Sequence, residues 1–320
     1  MTRAFLYPGQ GSQAVGMGRV LAGAFAAARD VFQEVDEALG QNLSKLMWEG
    51  PEADLILTEN AQPAIMAASI AVLRVLQGEA GFELHTAGKL VAGHSLGEYS
   101  ALCAAGAFTL ADTAHLLKIR GRAMQAAVPV GEGAMVVLIG ADVALAEAVA
   151  KEAVESAPPT ESNPICVVAN DNAPGQVVIS GRKATVERAG ELAKAKGVKR
   201  ALALAVSAPF HCPMMQPAAD KMAEALAALT IRPPVVPVVA NVTAAPVSEP
   251  DTIRRLLVEQ VTGRVRWRES IASLRALGIE TTVEFGGNKV LTGMVKRIDK
   301  DLASLSLDTP ADIEAFARTL

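Results

Sequence analysis

The chain has 320 residues, of which 51% are hydrophobic and 20% charged, so it can bury a large core and is not a disordered protein. Its length exceeds the limit of about 250 to 300 residues for a single core, which favours two domains or one domain with an insertion. The formal net charge is −4, and no basic tract alternates with aromatic residues, which argues against binding to nucleic acid.

The N-terminal apolar run is too short for a secretory signal, and the other apolar runs are interrupted by charges such as Arg74 and Asp142 before they reach the length of a membrane span. The three cysteines have no close spacing, and there are only four histidines. We therefore expect a cytoplasmic protein with no membrane span, no disulfide framework and no metal site.

The first part of the chain alternates between short apolar strands and amphipathic helices. Residues 4–7 predict a buried strand that leads into a glycine-rich turn, and residues 89–92 predict a second strand. Helical patterns cover residues 18–39, 63–77, 98–107 and 110–127, with Pro63 expected in the first turn of its helix. A strand, a tight turn and a helix thus follow one another around residues 93–97.

The pattern changes between residues 128 and 207. Strands are predicted at 134–139, 165–169, 176–179 and 200–206, and helices at 143–155 and 183–196. This βαββαβ order is typical of a ferredoxin-like module. Later strands at 235–240 and 281–285 and helices at 271–277 and 290–297 return to the first pattern. We predict an α/β fold with a parallel-sheet core, residues 1–127 and 207–320, and an inserted ferredoxin-like small domain, residues 128–206.

The sequence GHSLG at residues 93–97 matches the G-x-S-x-G pattern of a nucleophilic serine on a strand-to-helix turn. Side chains at positions 93 and 97 would collide with the neighbouring strand and helix, so glycine is needed at both. The Ser95 hydroxyl would then project at the positive end of a helix, where a developing oxyanion is stabilised.

Serine needs a base within hydrogen-bond reach, and four histidines compete for that role. His85 and His115 are expected to be solvated or structural, and His94 to line the pocket, since adjacent residues on a tight turn point in different directions. His211 lies in a proline-bounded loop at the exit of the inserted module and is the predicted general base. Cys212 beside it suggests a thiol mechanism, which no other feature supports.

Arg120 falls on the buried face of the helix predicted to start at Thr109, because helical residues are about 100° apart. Lys118 and Arg122 point away from that face. A buried guanidinium requires an anion, which is either an internal carboxylate or the carboxylate of a substrate. The planar fork of arginine matches a carboxylate, which favours the substrate.

The glycine-rich segment at residues 8–13, PGQGSQ, follows the first strand and can supply a second amide to an oxyanion hole, although a plain turn explains it equally well. It lacks the lysine of a Walker loop and the glycine spacing of a dinucleotide fingerprint, so no nucleotide cofactor is indicated.

Together these segments resemble the malonyl-CoA:acyl carrier protein transacylases of bacterial type II fatty-acid synthesis over nearly the whole chain. The shared motifs are YPGQGSQ (7–13), QPA (62–64), GHSLGEYSA (93–101), RG (120–121), PGQVVISG (174–181), PFH (209–211), VRW (265–267) and KVLTG (289–293). The combination is specific, whereas each motif alone is not. At Tyr7 the family often has phenylalanine or valine, which affects no catalytic residue.

The resemblance implies transfer of malonate from malonyl-CoA to Ser95 and then to the phosphopantetheine thiol of acyl carrier protein, with His211 as base and acid. It implies an oxyanion hole from the amides of Gln10 and Leu96, and a seat for the malonyl carboxylate at Arg120. The fold implied is an α/β-hydrolase-like core with a ferredoxin-like insertion.

The same resemblance implies that the main-chain carbonyl of Gln260 orients His211, and that His94 and Phe210 line a malonyl-selective pocket. No cofactor is expected beyond the two thioester substrates, and the protein is expected to be a monomer.

Two other functions compete with this interpretation. A serine thioesterase or esterase of the α/β-hydrolase type would use Ser95 and His211 but has no use for a buried cation such as Arg120. An inactive carrier-protein docking module would not need an intact serine, histidine and glycine-rich loop.

Overall fold

The computed structural model describes residues 2–206 and 208–320, which form two β-sheets with helices packed against them. The strands are β1 (Arg3–Tyr7), β2 (Leu90–Gly93), β3 (Gly133–Ile139), β4 (Cys166–Ala173), β5 (Gln176–Arg182), β6 (Arg200–Ala203), β7 (Val238–Ala240), β8 (Ala245–Val247), β9 (Thr281–Phe285) and β10 (Ala303–Leu307). The helices are α1 (Arg19–Ala24), α2 (Ala26–Leu39), α3 (Leu43–Glu49), α4 (Glu52–Leu55), α5 (Thr58–Ala80), α6 (Leu84–Ala87), α7 (Gly97–Ala104), α8 (Leu110–Ala126), α9 (Val143–Glu155), α10 (Lys183–Ala195), α11 (Gln216–Ala227), α12 (Pro250–Thr262), α13 (Trp267–Ala276), α14 (Val290–Ile298) and α15 (Pro310–Ala317).

The larger sheet has the strand order β10-β9-β1-β2-β7-β8, parallel except for the edge strand β8. Its central strand β1 is buried on both faces, as expected for a parallel sheet covered by helices. Phe5 and Tyr7 belong to the main core on one face, whereas Ala4 and Leu6 belong to a second cluster on the other. The carboxyl ends of β1, β2 and β7 therefore meet at one edge of the sheet.

The smaller sheet is antiparallel, has the strand order β4-β5-β3-β6, and packs with α9 and α10 around a core of its own. Strand β4 joins it to the rest of the protein. Asp171 donates its backbone N–H to the carbonyl of Val265 at 2.9 Å, and Val265 donates to Ala169 at 2.8 Å. Both oxygens of the buried Asp171 carboxylate share the Nε–H of Arg268 on α13, and Oδ2 also lies 2.8 Å from Nη2 of Arg268. This end of β4 is thus held against the segment between α12 and α13 and the start of α13.

Several predicted boundaries are wrong for identifiable reasons. The helix expected over residues 18–39 is divided by Phe25, whose backbone is extended. Helix α5 begins at Thr58, so Pro63 lies inside the helix and not in its first turn. A free backbone N–H at the start of α5 is paired by a residue on another helix: the side chain of Gln125 on α8 accepts the N–H of Glu59 at 2.8 Å. The local sequence does not contain that information. The predicted strand 200–206 ends at Ala203, and the strand 235–240 begins only at Val238.

One helix in the described part of the chain, α5, is long and apolar enough to cross a membrane by length and composition, despite Arg74. In the fold, 83% of its most apolar window is buried against other elements. A helix that is apolar around most of its circumference is also what the centre of a large core requires.

Candidate active site

Ser95 lies on the turn between β2 and α7, at the carboxyl edge of the larger sheet. Its backbone has φ +52°, a left-handed conformation that costs energy for a residue with a side chain. A Cβ at Gly93 would lie 1.9 Å from the carbonyl oxygen of Gly97, and one at Gly97 would lie 2.1 Å from that of Tyr7. Glycine is therefore required at both positions by close backbone contacts.

Gly97→Ala is expected to destabilise the protein by at least about 3 kcal/mol. The added methyl group would collide with the carbonyls of Tyr7 and Pro8, and these cannot move without disturbing the central strand β1. Urea denaturation followed by circular dichroism measures this. Gly23→Ala on α1 is the control, because nothing lies within 4 Å of its added Cβ and φ is ordinary there. Equal stability of the two variants would contradict the packing argument.

Two side-chain amides hold the backbone of Ser95 from either side. Asn241, directly after β7, accepts the N–H of Ser95 with Oδ1 at 2.7 Å and donates with Nδ2 to the carbonyl of Gly93 at 2.7 Å. Gln260 on α12 donates with Nε2 to the carbonyl of Ser95 at 3.0 Å. Asn241 was not among the site residues predicted from the sequence, although a polar residue at the carboxyl end of an apolar strand is a usable signal.

His211 is 4% exposed, and its Nε2 lies 2.8 Å from the Oγ of Ser95. Its Nδ1 lies 2.9 Å from the main-chain carbonyl of Gln260. A carbonyl can only accept, so Nδ1 carries the proton and Nε2 is free to accept the serine proton. His85 and His115, the other histidines considered as bases, are exposed; His115 is on α8, the helix of Arg120, but on its exposed side.

Burial lowers the pKa of His211 to about 3, and the positive charge of Arg120 acts in the same direction. The imidazole is therefore neutral, and able to accept a proton, throughout the physiological pH range. Its protonated form is strongly disfavoured in the empty site and requires a compensating negative charge.

Arg120 on α8 is 1% exposed, as its position on the helix predicted. Its Nη1 donates to Oε1 of Gln62 at 2.9 Å, and its Nη2 donates to Oε1 of Gln260 at 3.0 Å and to Oγ of Ser95 at 3.1 Å. In the described part of the chain no carboxylate lies within ion-pair distance of the guanidinium. Its hydrogen-bond partners are neutral oxygens, so the internal salt bridge considered as an alternative is not formed. Burial lowers the pKa of Arg120.

The expectation that Lys118 points away from the buried face is wrong. Lys118 is buried, and its Nζ contacts the carboxylate of Glu59 at 2.9 Å and the side-chain oxygens of Gln41 and Asn60 at 2.8 and 2.9 Å. The buried surface of α8 is wider than the predicted arc because α2 and α5 both pack against it. Arg122 is exposed, as predicted.

The turn after β1, which contains Gln10, packs against the turn of Ser95. Tyr7 pairs with Gly93 in the sheet, His94 donates its N–H to the carbonyl of Tyr7 at 3.0 Å, and a Cβ on Gly9 would lie 2.7 Å from the carbonyl of His94. Among the described residues, neither the N–H of Gln10 nor that of Leu96 donates to a protein acceptor. Leu96 also lies at the N-terminal end of α7. Both amides are therefore available to a bound oxyanion.

The side chain of His94 contacts the smaller sheet. Its Nε2 lies 2.8 Å from Oδ1 of Asn172 on β4, and its ring packs edge-on against Trp267 with 5.5 Å between the ring centroids. Burial lowers its pKa, so it is a neutral residue at the junction of the two sheets. Phe210 is buried in the main core beside His211. Asn172 is a second polar residue of the site that was not predicted from the sequence.

Cys212 is fully buried, and its thiol donates to the carbonyl of Pro209 at 3.0 Å. Burial raises the pKa of the Cys212 thiol, so the reactive thiolate is disfavoured at neutral pH. This environment does not support the thiol mechanism.

A mixed α/β fold with a serine on a strand-to-helix turn, a neutral histidine at its hydroxyl and free amides beside it defines an enzyme of the acyl-transfer class. The comparisons with known proteins agree. The chain belongs to the acyl transferase domain family, whose model matches residues 4–306.

Individual relatives match the chain over its whole length. The malonyl CoA-acyl carrier protein transacylase of Bacillus subtilis strain 168 is 46% identical over 99% of this chain and 96% of its own. The crystal structure of an acyl-carrier-protein-S-malonyltransferase from Bartonella henselae is 53% identical and superimposes with a TM-score of 0.95 over 100% of this chain and 99% of its own. A malonyl-transacylase in complex with its type II PKS acyl-carrier protein is 41% identical, with a TM-score of 0.94 over 100% of both chains.

Proposed function

We propose that the protein transfers the malonyl group from malonyl-CoA to the phosphopantetheine thiol of acyl carrier protein through a malonyl-serine intermediate, and thereby supplies extender units for fatty-acid synthesis. The names of the full-length relatives support this activity. One observation supports the mechanism above all: Nε2 of His211 and Nη2 of Arg120 both contact Oγ of Ser95, at 2.8 Å and 3.1 Å.

In the first half-reaction Oγ of Ser95 attacks the thioester carbonyl of malonyl-CoA while Nε2 of His211 accepts the serine proton. The negative charge that forms on the carbonyl oxygen is stabilised by the N–H groups of Gln10 and Leu96. When the carbon–sulfur bond breaks, the coenzyme A thiolate takes the proton from His211. The product is malonyl-serine, and the histidine is neutral again.

The second half-reaction reverses the first with a different thiol. The phosphopantetheine thiol gives its proton to His211 and attacks the serine ester. The carbon–oxygen bond then breaks, and Ser95 recovers the proton from the imidazolium. Throughout, the carbonyl of Gln260 holds Nδ1–H of His211, so that Nε2 faces the serine.

Arg120 binds the free carboxylate of the malonyl group. In the empty site its hydrogen bonds go to neutral oxygens, and Glu98 acts on it only through space, so a carboxylate that approaches Ser95 gains two strong charge-assisted bonds without breaking a direct ion pair. His94 and Phe210 are proposed to line the acyl pocket on either side of the nucleophile, with His94 held by Asn172.

The competing serine thioesterase or esterase is not favoured by the relatives. It would also leave the buried guanidinium at the nucleophile without a role, because a neutral acyl group offers no anion to it.

For the fold, we propose an α/β-hydrolase-like core, residues 1–127 and 207–320, and a ferredoxin-like domain, residues 128–206. The βαββαβ element order and the strand order β4-β5-β3-β6 support the second assignment. The first boundary falls between α8 and β3. The second is next to Ser207, which lies outside the described residues.

The proposed reaction needs no cofactor, because this chain's own residues supply the nucleophile, the base and the charge, and both thioesters are substrates. We propose that the protein acts as a cytoplasmic monomer.

A transfer assay tests this proposal. The protein is mixed with malonyl-CoA and either holo acyl carrier protein or the apo form, which lacks the phosphopantetheine thiol, and the products are identified by mass spectrometry. We expect malonyl-carrier protein with the holo form and none with the apo form. Free malonate at the same rate with both forms would show a thioesterase instead.

A further inference from the structure

Glu98 is an acidic residue at the centre of the site that the mechanism above does not use. It lies in the first turn of α7, three residues after the nucleophile, and is 2% exposed. Its Oε2 accepts hydrogen bonds from Nε2 of Gln260 at 2.7 Å and from the backbone N–H of Asn241 at 3.0 Å. A buried carboxylate with two such donors is held in one position.

Both donors also hold the backbone of the nucleophile. The same Nε2 of Gln260 donates to the carbonyl of Ser95 at 3.0 Å, and Oδ1 of Asn241 accepts the N–H of Ser95 at 2.7 Å. Glu98 is thus connected through Asn241 to the backbone N–H of Ser95 and through Gln260 to its carbonyl. Ser95 itself has a left-handed backbone conformation. That conformation persists only where surrounding contacts enforce it.

Glu98 is one of three groups that fix which way the amide of Gln260 faces, together with the carbonyl of Ser95 and the guanidinium of Arg120. An ionised carboxylate can only accept, so the NH₂ group of Gln260 must face Glu98 and its Oε1 must face Nη2 of Arg120, at 3.0 Å. In the reverse orientation the NH₂ group would meet the donors of the guanidinium, and Oε1 would meet two acceptors. The acceptor on Glu98 therefore strengthens the orientation of Gln260 that directs Arg120 towards Oγ of Ser95.

We propose that Glu98 is a positioning residue for acyl transfer, which orients Gln260 and through it aims the Arg120 guanidinium at the acyl group on Ser95. The inference rests on the proposed malonyl transfer. It assigns Glu98 no contact with substrate.

This arrangement also predicts that the activity depends on whether Glu98 is ionised. Burial raises the pKa of Glu98 to about 7. The hydrogen bonds from Asn241 and Gln260 and the charge of Arg120 lower this pKa, but their effect is smaller than that of burial. The ionisable groups that face it are Arg120 on α8 and the hydroxyl of Tyr99 on α7, whose pKa is raised to about 12, while β7 and α12 contribute the uncharged amides. Near neutral pH, Glu98 therefore alternates between a strong, charged acceptor and a weaker, neutral one.

The test compares Glu98→Ala and Glu98→Gln with the wild type, using malonyl-CoA and acetyl-CoA as donors to holo acyl carrier protein. The alanine variant removes the acceptor, and we expect malonyl transfer to fall about 100-fold and the preference for malonyl over acetyl to fall at least about tenfold. The glutamine variant keeps a neutral oxygen in the position of Oε2, and we expect it to lose only about fivefold at pH 8 and to keep the preference. Glu79→Gln, at an exposed position on α5, is the control for the substitution itself.

The pH profile is the readout that a merely structural role would not change. In the wild type, kcat/KM for malonyl-CoA should fall about fivefold as the pH drops through about 7, because Glu98 gains a proton and becomes the weaker acceptor. The profile of Glu98→Gln should be flat over this range and meet that of the wild type below pH 6. Thermal melting checks that the variants are folded.

The proposal is overturned if Glu98→Ala keeps the activity of the wild type, if it loses malonyl and acetyl transfer equally, or if the step near pH 7 persists in Glu98→Gln. A wild-type protein that forms no malonyl-carrier protein at all, or an Arg120→Ala variant with unchanged malonyl preference, is a failure of the proposed function and not of the role of Glu98.

Discussion

His211→Ala is expected to reduce malonyl transfer by about 10³- to 10⁴-fold, because the serine then has no base to accept its proton and the leaving thiolate has no acid to donate one. The effect should fall on kcat and kcat/KM together, since His211 contacts the serine hydroxyl at 2.8 Å and is not proposed to bind the substrate. Steady-state rates with malonyl-CoA and holo acyl carrier protein measure it.

His115→Ala is the matched control for this variant. His115 is exposed on α8, far in the chain from the catalytic loop, and its replacement should leave the rate unchanged. A loss of less than tenfold in His211→Ala, or equal losses in the two variants, would mean that another group accepts the serine proton.

Arg120→Ala is expected to reduce kcat/KM for malonyl-CoA by about 10²- to 10³-fold, since the substrate carboxylate would enter a buried site without its countercharge. Acetyl transfer should be unchanged or faster. The charge of Arg120 is one cause of the lowered pKa of His211, so its removal makes the histidine a stronger base for a substrate that brings no carboxylate. Parallel assays with malonyl-CoA and acetyl-CoA measure the change in preference.

Arg120→Lys separates charge from geometry. The lysine keeps a positive charge but lacks the planar fork that reaches Gln62, Gln260 and Ser95 together, and we expect malonyl transfer between that of the wild type and that of the alanine variant. Equal losses of malonyl and acetyl transfer in Arg120→Ala would show that the guanidinium supports the structure of the site and does not select the acyl group.

Much of the site could be predicted from local sequence patterns. The strand-turn-helix around Ser95 could be predicted because the G-x-S-x-G spacing is itself a local pattern, although the contact that requires Gly97 is with the carbonyl of Tyr7 on a different strand. The burial of Arg120 could be predicted because a helix repeats every 3.6 residues. Lys118 shows the limit of that argument, since the width of the buried face depends on how many helices pack against it.

The residues that surround the nucleophile could not be derived from the pattern alone. Asn241 contacts Ser95, and Asn172 contacts His94, across elements far apart in the chain. Glu98 is close to Ser95 in sequence, but its hydrogen bonds go to Asn241 and Gln260, which are distant in sequence. Gln260 was found only through the family resemblance, because no periodicity links α12 to the loop of His211. Long-range hydrogen bonds of this kind require the tertiary structure, which the spacing of residue types does not specify.

The central claim is that the hydroxyl of Ser95 carries the malonyl group, and intact-protein mass spectrometry after incubation with malonyl-CoA alone tests it most directly. The account predicts one adduct with the mass of a single malonyl group, absent in Ser95→Ala and released when holo acyl carrier protein is added. An adduct that survives in Ser95→Ala, or that maps to Cys212, would contradict it.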